Sequence, residues 1–228
     1  MTAPHPISHS HQFALLILRS LMTLSAPFLI VMIAVRLIMT PLFLQFEYTR
    51  PDFPADFYGF STTDRLTYAP TAVEYLLNGA DISFLGDLRF PDGTEMYNVR
   101  ELQHMRDVKT VTQTALTVGL FGGVLWLAAL IILWRNHRTT VTGVLQSSAL
   151  CTLGLIAAIV IISIVSWDTF FTSFHKAFFA DGTWRFEYSD TLIRLFPEQF
   201  WFDAALLIGG FSILVSLVLL AIVRRLYK

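Results

Sequence analysis

The chain has 228 residues, of which 54% are apolar and 14% charged, with a net charge of −1. Soluble domains run at about 45–50% apolar and about 25% charged, so much of this surface must meet lipid rather than water. Sixteen basic residues against 17 acidic ones supply no concentrated positive face, which excludes nucleic acid as a partner. The single cysteine, Cys151, lies in an apolar run, so no intramolecular disulfide staples the fold.

Uncharged stretches fall at 20–35 and 37–46 (split by Arg36), 110–134, 139–167 and 204–223. A helix needs about 20 predominantly apolar residues to cross a bilayer. The sequence therefore predicts four spans, at about 13–46, 110–134, 142–166 and 204–223, and an all-α four-helix bundle forming a single membrane domain over 1–228. The first span is not expected to be a cleaved signal peptide: its apolar run is too long, it carries Pro27 and Arg36, and no small-x-small cleavage site follows.

All 17 acidic residues lie in two segments, eleven between Glu47 and Asp107 and six between Asp168 and Asp203. Arg19, Arg135, Arg138, Arg224, Arg225 and Lys228 lie in the remaining segments. The positive-inside rule then predicts cytoplasmic N- and C-termini, with two extracytoplasmic loops at about 47–109 and 167–203. Those loops are too long for simple connections and too aromatic for linkers.

In the first loop, Ser61 with Asp64 fits a capping box that opens a helix, and Pro70 is expected to start a second one that stops at Gly79. Residues 84–97 read as a small hairpin around Pro91-Asp92-Gly93. Asn98 with Glu101 is another capping pair, predicting a helix from Val99 that runs unbroken into the second span and carries Arg100, His104, Val108 and Val111 on one face. In the second loop no breaker precedes Asp181-Gly182, so the third helix is expected to continue through Asp168, Phe171 and His175 to about Phe179. Trp184 to Tyr188 alternates like a short strand. Ser189 or Asp190 then caps a helix through Leu195, and Pro197-Glu198 opens the run into the fourth span. Residues 167–202 hold 13 of the 32 aromatic residues, a density suited to the headgroup level.

His104 and His175 are both placed near the outer interface. Imidazole exchanges protons near neutral pH, so such a pair can activate a nucleophile and protonate a leaving group. The plainer reading, that each merely satisfies a hydrogen bond, is the slightly better one on spacing alone. A metal-dependent membrane hydrolase using His104, Asp107, Asp168 and His175 is a third reading of the same residues, although no H-E-x-x-H or cysteine ligand supports it. The His5, His9 and His11 tract reads as a frayed tail before a metal site. Arg36 cannot sit unpaired in hydrocarbon: it either faces the bundle and reaches a loop carboxylate or a lipid ester or phosphate, or it snorkels to the headgroups. Asp190 and Arg194, four apart, read first as a local helix pair. There is no G-x-S-x-G, and a thiolate on Cys151 would be disfavoured within a span. Acyl chemistry here would thus proceed without an acyl-enzyme.

The stretch Glu101-Leu102-Gln103-His104-Met105-Arg106-Asp107-Val108-Lys109, with Phe174-His175, Gly182-Thr183-Trp184 and Asp190 through Glu198, resembles a family of bacterial four-span integral membrane proteins that includes the lipoprotein intramolecular transacylase, Lit. Tyr58-Gly59-Phe60-Ser61 extends the resemblance. It implies a protein of the bacterial cytoplasmic membrane whose partners are a diacylglyceryl lipoprotein and membrane lipid, with no cofactor. The implied reaction moves the sn-2 acyl chain of the lipidated N-terminal cysteine to its free α-amine, leaving a lyso-form lipoprotein. His104 and His175 would be its acid/base pair. Arg36, Glu101, Asp107, Lys109, Trp184, Asp190, Arg194 and Glu198 rank below them as residues that bind substrate or orient the imidazoles. The alternative from another class is a non-catalytic scaffold whose outer domain binds a lipid or a partner protein.

Overall fold

The computed structural model describes residues 9–180 and 182–226. His5, Asp181 and Lys228 lie outside the described residues. The chain forms helices α1 (His9–Ile38), α2 (Pro41–Tyr48), α3 (Thr62–Leu77), α4 (Ser83–Gly86), α5 (Val99–Asn136), α6 (Arg138–Val165), α7 (Trp167–Phe178), α8 (Thr191–Leu195) and α9 (Glu198–Leu226). Four of them, α1, α5, α6 and α9, are long and apolar enough to cross a membrane. They pack as a bundle in which α6 lies against both α1 and α9, and α1 also meets α5. Leucines such as Leu24 (71% exposed) and Leu125 (71% exposed) face outward; in lipid that exposure has no hydrophobic cost.

The short helices gather at one end around a core of Phe43, Leu44, Tyr48, Ala69, Tyr75, Leu85, Leu195 and Phe200. A second core, from Met22, Leu133, Val141, Val144 and Val223, closes the other end. At 38 residues and about 1.5 Å rise per residue, α5 is far longer than a bilayer core of about 30 Å requires. Its first turns therefore stand beyond the bilayer core, among the short helices.

Both capping boxes form: Ser61 and Asp64 bond each other's backbone at the start of α3, and Asn98 and Glu101 do so at the start of α5. Several boundaries differ from the sequence reading. The helix expected over 13–46 is two helices, because Thr40 turns extended (φ −139°), its hydroxyl accepts from Phe43 N, and Pro41 occupies the first position of α2. Pro70 starts nothing and lies inside α3. The bond its missing N–H would give to Leu66 is lost, yet Ala69, Ala72 and Tyr75 are buried on that helix, and that burial holds it together across the gap. At its C-terminal end, Gln113 Nε2 donates to the carbonyls of Leu76 and Asn78, and Lys109 Nζ donates to Ala80 O while standing 3.9 Å from the Tyr75 ring centroid. The hairpin expected at 84–97 shrinks to one bridge between Arg89 and Glu95, turned at Gly93 (φ +88°), after the single helical turn of α4. Trp184–Tyr188 is no strand: Trp184 and Tyr188 lie in turns and the three residues between them are irregular.

The third helix does not continue to Phe179. It breaks at Ser166 (φ −162°, ψ 100°), which ends α6 and caps α7 by accepting from Thr169 N. Serine offers the backbone this local alternative to the helix, and the new helix leaves in another direction. α7 carries Trp167, Phe171, Phe174 and His175.

Candidate functional site

Two elements with no sequence proximity deliver the histidines. The unbroken start of α5 presents His104, six residues ahead of the uncharged run beginning at Thr110, and the redirected α7 presents His175. Their ring centroids are 6.3 Å apart with planes 21° from parallel. That separation can be bridged by one ester-sized group. Aromatic rings wall the pair. Phe179 and Phe186 lie 5.0 and 5.3 Å from His104, and Phe171 and Trp184 lie 4.1 and 4.8 Å from His175.

His175 Nδ1 is 2.8 Å from Phe171 O. A carbonyl can only accept, so Nδ1 carries the proton and Nε2 holds the free lone pair. His104 Nδ1 and the indole nitrogens of Trp167 and Trp184 are buried without a hydrogen-bond partner among the described residues. Burial lowers the His175 pKa, against the Phe171 hydrogen bond that raises it. Burial also pushes His104 down to about 4, with the neighbouring His175 adding to the shift. Both imidazoles are therefore neutral at pH 7, and each can take up a proton.

The other residues singled out from sequence are placed elsewhere. Glu101 is 1% exposed and accepts from Leu192 N at 2.6 Å and Asn98 N at 2.8 Å, tying α5 to α8. Asp190 occupies the N-cap position of α8 without capping it; its carboxylate accepts from Asn98 Nδ2 and Arg100 Nη2, each at 2.9 Å. The local Asp190–Arg194 pair does not form, because Arg194 turns to Asp56 at 3.0 Å and stands 3.5 Å from the Phe60 ring centroid. Trp184 is 9% exposed and belongs to the histidine wall. Asp107 accepts from Gln103 on its own helix, and Lys109 holds the segment just beyond α3 through Asn78 Oδ1 and Ala80 O. Glu198 is exposed at the start of α9.

Arg36 is exposed and donates to Met39 O at 3.4 Å. The carbonyl freed by the α1–α2 break, rather than a loop carboxylate, is its partner. The metal set proposed from sequence does not assemble either. Among the described residues no three His, Cys, Asp or Glu side chains gather as a metal site would require, since Asp107 stays with Gln103 and Asp168 is exposed.

Sequence reasoning overlooked Phe186, whose contact with His104 the supposed strand obscured. It also overlooked the ion cluster in which Arg50 reaches Asp52 at 2.8 Å, Asp203 at 3.0 Å and the fully buried Glu47 at 3.4 Å. An acidic residue directly flanking an apolar run, Glu47 after 37–46 and Asp203 before 204–223, was the available signal, and the cluster joins the end of α2 to the start of α9.

By sequence the chain is 27% identical over 194 residues, 85% of its length and 87% of the relative's, to an uncharacterized protein of Aquifex aeolicus (strain VF5). Its fold is similar to that of the membrane-integral lipoprotein intramolecular transacylase Lit from Bacillus cereus, with a TM-score of 0.78 and 20% identity, covering 95% of this chain and 97% of that one. A form of the Bacillus protein with one histidine replaced by arginine is similar with a TM-score of 0.77, over 96% of this chain and 95% of that one. The profile of the family described as lipoprotein intramolecular transacylase Lit matches residues 20–201, which include both histidines and every helix around them: the chain belongs to the Lit family of integral membrane transacylases.

Proposed function

We propose that this protein moves the sn-2 acyl chain of a diacylglyceryl lipoprotein to the α-amine of the same N-terminal cysteine, with His175 as base and His104 as its partner. The observation that carries this reading is the 6.3 Å approach of two neutral imidazoles inside an aromatic wall. His175 Nε2, left with its lone pair by the Phe171 hydrogen bond, takes a proton as the amine nitrogen bonds to the ester carbonyl carbon. The carbonyl oxygen gains negative charge, and the buried, partnerless indole N–H of Trp184 is available to it. When the carbon–oxygen bond breaks, the sn-2 oxygen receives a proton from an imidazole. The products are an amide and a free glyceryl hydroxyl.

Nucleophile and ester belong to one molecule, so the substrate supplies proximity and the protein orients the groups and carries protons. The proposed orientation puts this end of the bundle outside the cytoplasmic membrane, where lipidated N-termini lie. Mass spectrometry of lipoprotein N-termini, from cells with and without the protein, tests the reading. The expected product is a lyso-form peptide with N-linked acyl chain and one ester-linked chain. Unchanged diacylglyceryl peptides with a free amine would overturn it.

A further inference from the structure

At the end of the bundle away from the histidines, α1 and α6 part to leave a notch of about 320 Å³ bordered by Leu16, Arg19, Ser20, Thr23, Leu24 and Ser147. It continues past Gln12 and Thr140. The Arg19 guanidinium lies against Gly143, where a Cβ would come within 3.2 Å of its Cζ, and Nη2 donates weakly to Ser147 Oγ at 3.4 Å. Thr23 Oγ1 is buried there without a hydrogen-bond partner among the described residues. The notch thus holds one cation and three hydroxyls, with a glycine making room for the guanidinium.

Among the described residues no acidic side chain balances that cation. Every Asp and Glu lies within 47–107 or 168–203, in the loops at the opposite end. Gly143 is five residues into α6, so the guanidinium sits about 7.5 Å inside the end of that helix. Arg19 is exposed, and a charge that faces lipid rather than water needs a partner. Leu16 and Leu24, 60% and 71% exposed, flank the notch and open it sideways to hydrocarbon rather than to water. A molecule entering from that side brings its apolar chains along the leucines and its polar group to the arginine, and guanidinium matches a phosphate by paired, charge-assisted hydrogen bonds.

We propose that the notch is a binding site for the phosphodiester of a glycerophospholipid, held by Arg19 with the hydroxyls of Ser20, Thr23 and Ser147. This inference is independent of the acyl transfer proposed at the other end. The test is native mass spectrometry of the full chain released from detergent micelles doped with phosphatidylglycerol, with diacylglycerol of the same chains, or with inorganic phosphate. Phosphatidylglycerol should stay bound to the unaltered protein. Loss of one charge-assisted contact corresponds to about tenfold or more in retention, so Arg19→Gln should lower it by that factor. Gly143→Leu, which keeps the charge and displaces the guanidinium, should lower it as well, whereas Arg225→Gln, an exposed arginine at the same end, should leave it unchanged. Equal loss in Arg225→Gln, or full retention in Gly143→Leu, would mean surface charge without a notch and overturn the proposal. Equal retention of diacylglycerol, displacement of the lipid by inorganic phosphate, or no lipid retained at all would overturn it too. Each variant is compared at matched helical content and elution volume, and Ser147→Ala replaces Arg19→Gln if the latter does not fold.

Discussion

His104 and His175 differ in what holds them. His175 has its tautomer fixed by Phe171 O, whereas His104 has rings on two sides and no partner for Nδ1 among the described residues. Removing a general acid or base costs about 10²–10⁴-fold in rate. His104→Ala and His175→Ala should each lose activity in that range while inserting normally, as read by lyso-lipoprotein formation at matched protein levels. Near-normal transacylation in either variant would remove that histidine from the mechanism. His104 also sets a pH dependence of stability. Its pKa is about 4 in the folded chain and 6.5 as the ordinary value, so between those values the unfolded chain binds a proton that the folded one refuses. Stability should therefore be full above about pH 6.5 and fall as pH drops toward 4. Thermal unfolding in detergent across that range should show a shallower acid-side decline in His104→Phe than in the parent. At Arg36 the partner is a nearby carbonyl and the side chain is exposed, so Arg36→Ala should change stability by no more than about 0.5 kcal/mol. A loss of several degrees in melting temperature would restore the structural pairing that the geometry argues against.

At the scale of elements, the site depends on joints between helices. Glu101 is such a joint, since one carboxylate accepts from its own N-cap and from Leu192 at the start of α8. Its burial raises its pKa, opposed by those two backbone hydrogen bonds. Glu101→Ala would leave the buried Leu192 N–H without an acceptor, at about 1–3 kcal/mol, and would also remove the acceptor of the less buried Asn98 N–H, whereas Glu101→Gln retains one acceptor oxygen. Thermal unfolding should rank the parent above Glu101→Gln and Glu101→Ala lowest; an alanine variant as stable as the parent would show that α5 and α8 are joined by packing alone. Ser166 is the other joint. Its cap on α7 is worth about 1 kcal/mol. Ser166→Ala should lower stability by that amount and reduce activity further than the stability loss explains, because α7 places His175.

For the whole molecule, the segregation of charge predicts direction. Both loop domains lie at one end of the bundle, and the basic turn between α5 and α6 lies at the other. Labelling intact cells with a membrane-impermeant thiol reagent, in a Cys151→Ala background, should modify Val99→Cys and spare Asn136→Cys. Val99 is 83% exposed and Asn136 is exposed at the far end of the same helix. Labelling of Asn136→Cys alone would invert the topology and move the site to the cytoplasm, sinking the proposed encounter with lipidated N-termini.

Four spanning helices, the two capped helix starts and the gathering of both loops and both histidines at one end of the molecule were legible in the residues, because run length, cap chemistry and charge segregation are local or summed properties that need no partner. The breaks at Thr40 and Ser166 were harder to read, since apolar residues continue through both and only a single hydroxyl competes with the helix. Pro70 erred in the other direction: local chemistry marks a start, and the burial of α3 overrides it. What only the tertiary structure decided is which side chains meet. Asp190 finds Arg100 rather than Arg194, Arg194 finds Asp56, and Phe186 finds His104, all across distances in sequence that no period spans. The approach of His104 to His175 is of the same kind. It requires α5 to begin well ahead of the apolar run and the third helix to break at Ser166, so that rings from α7 and the 179–186 segment close around both imidazoles.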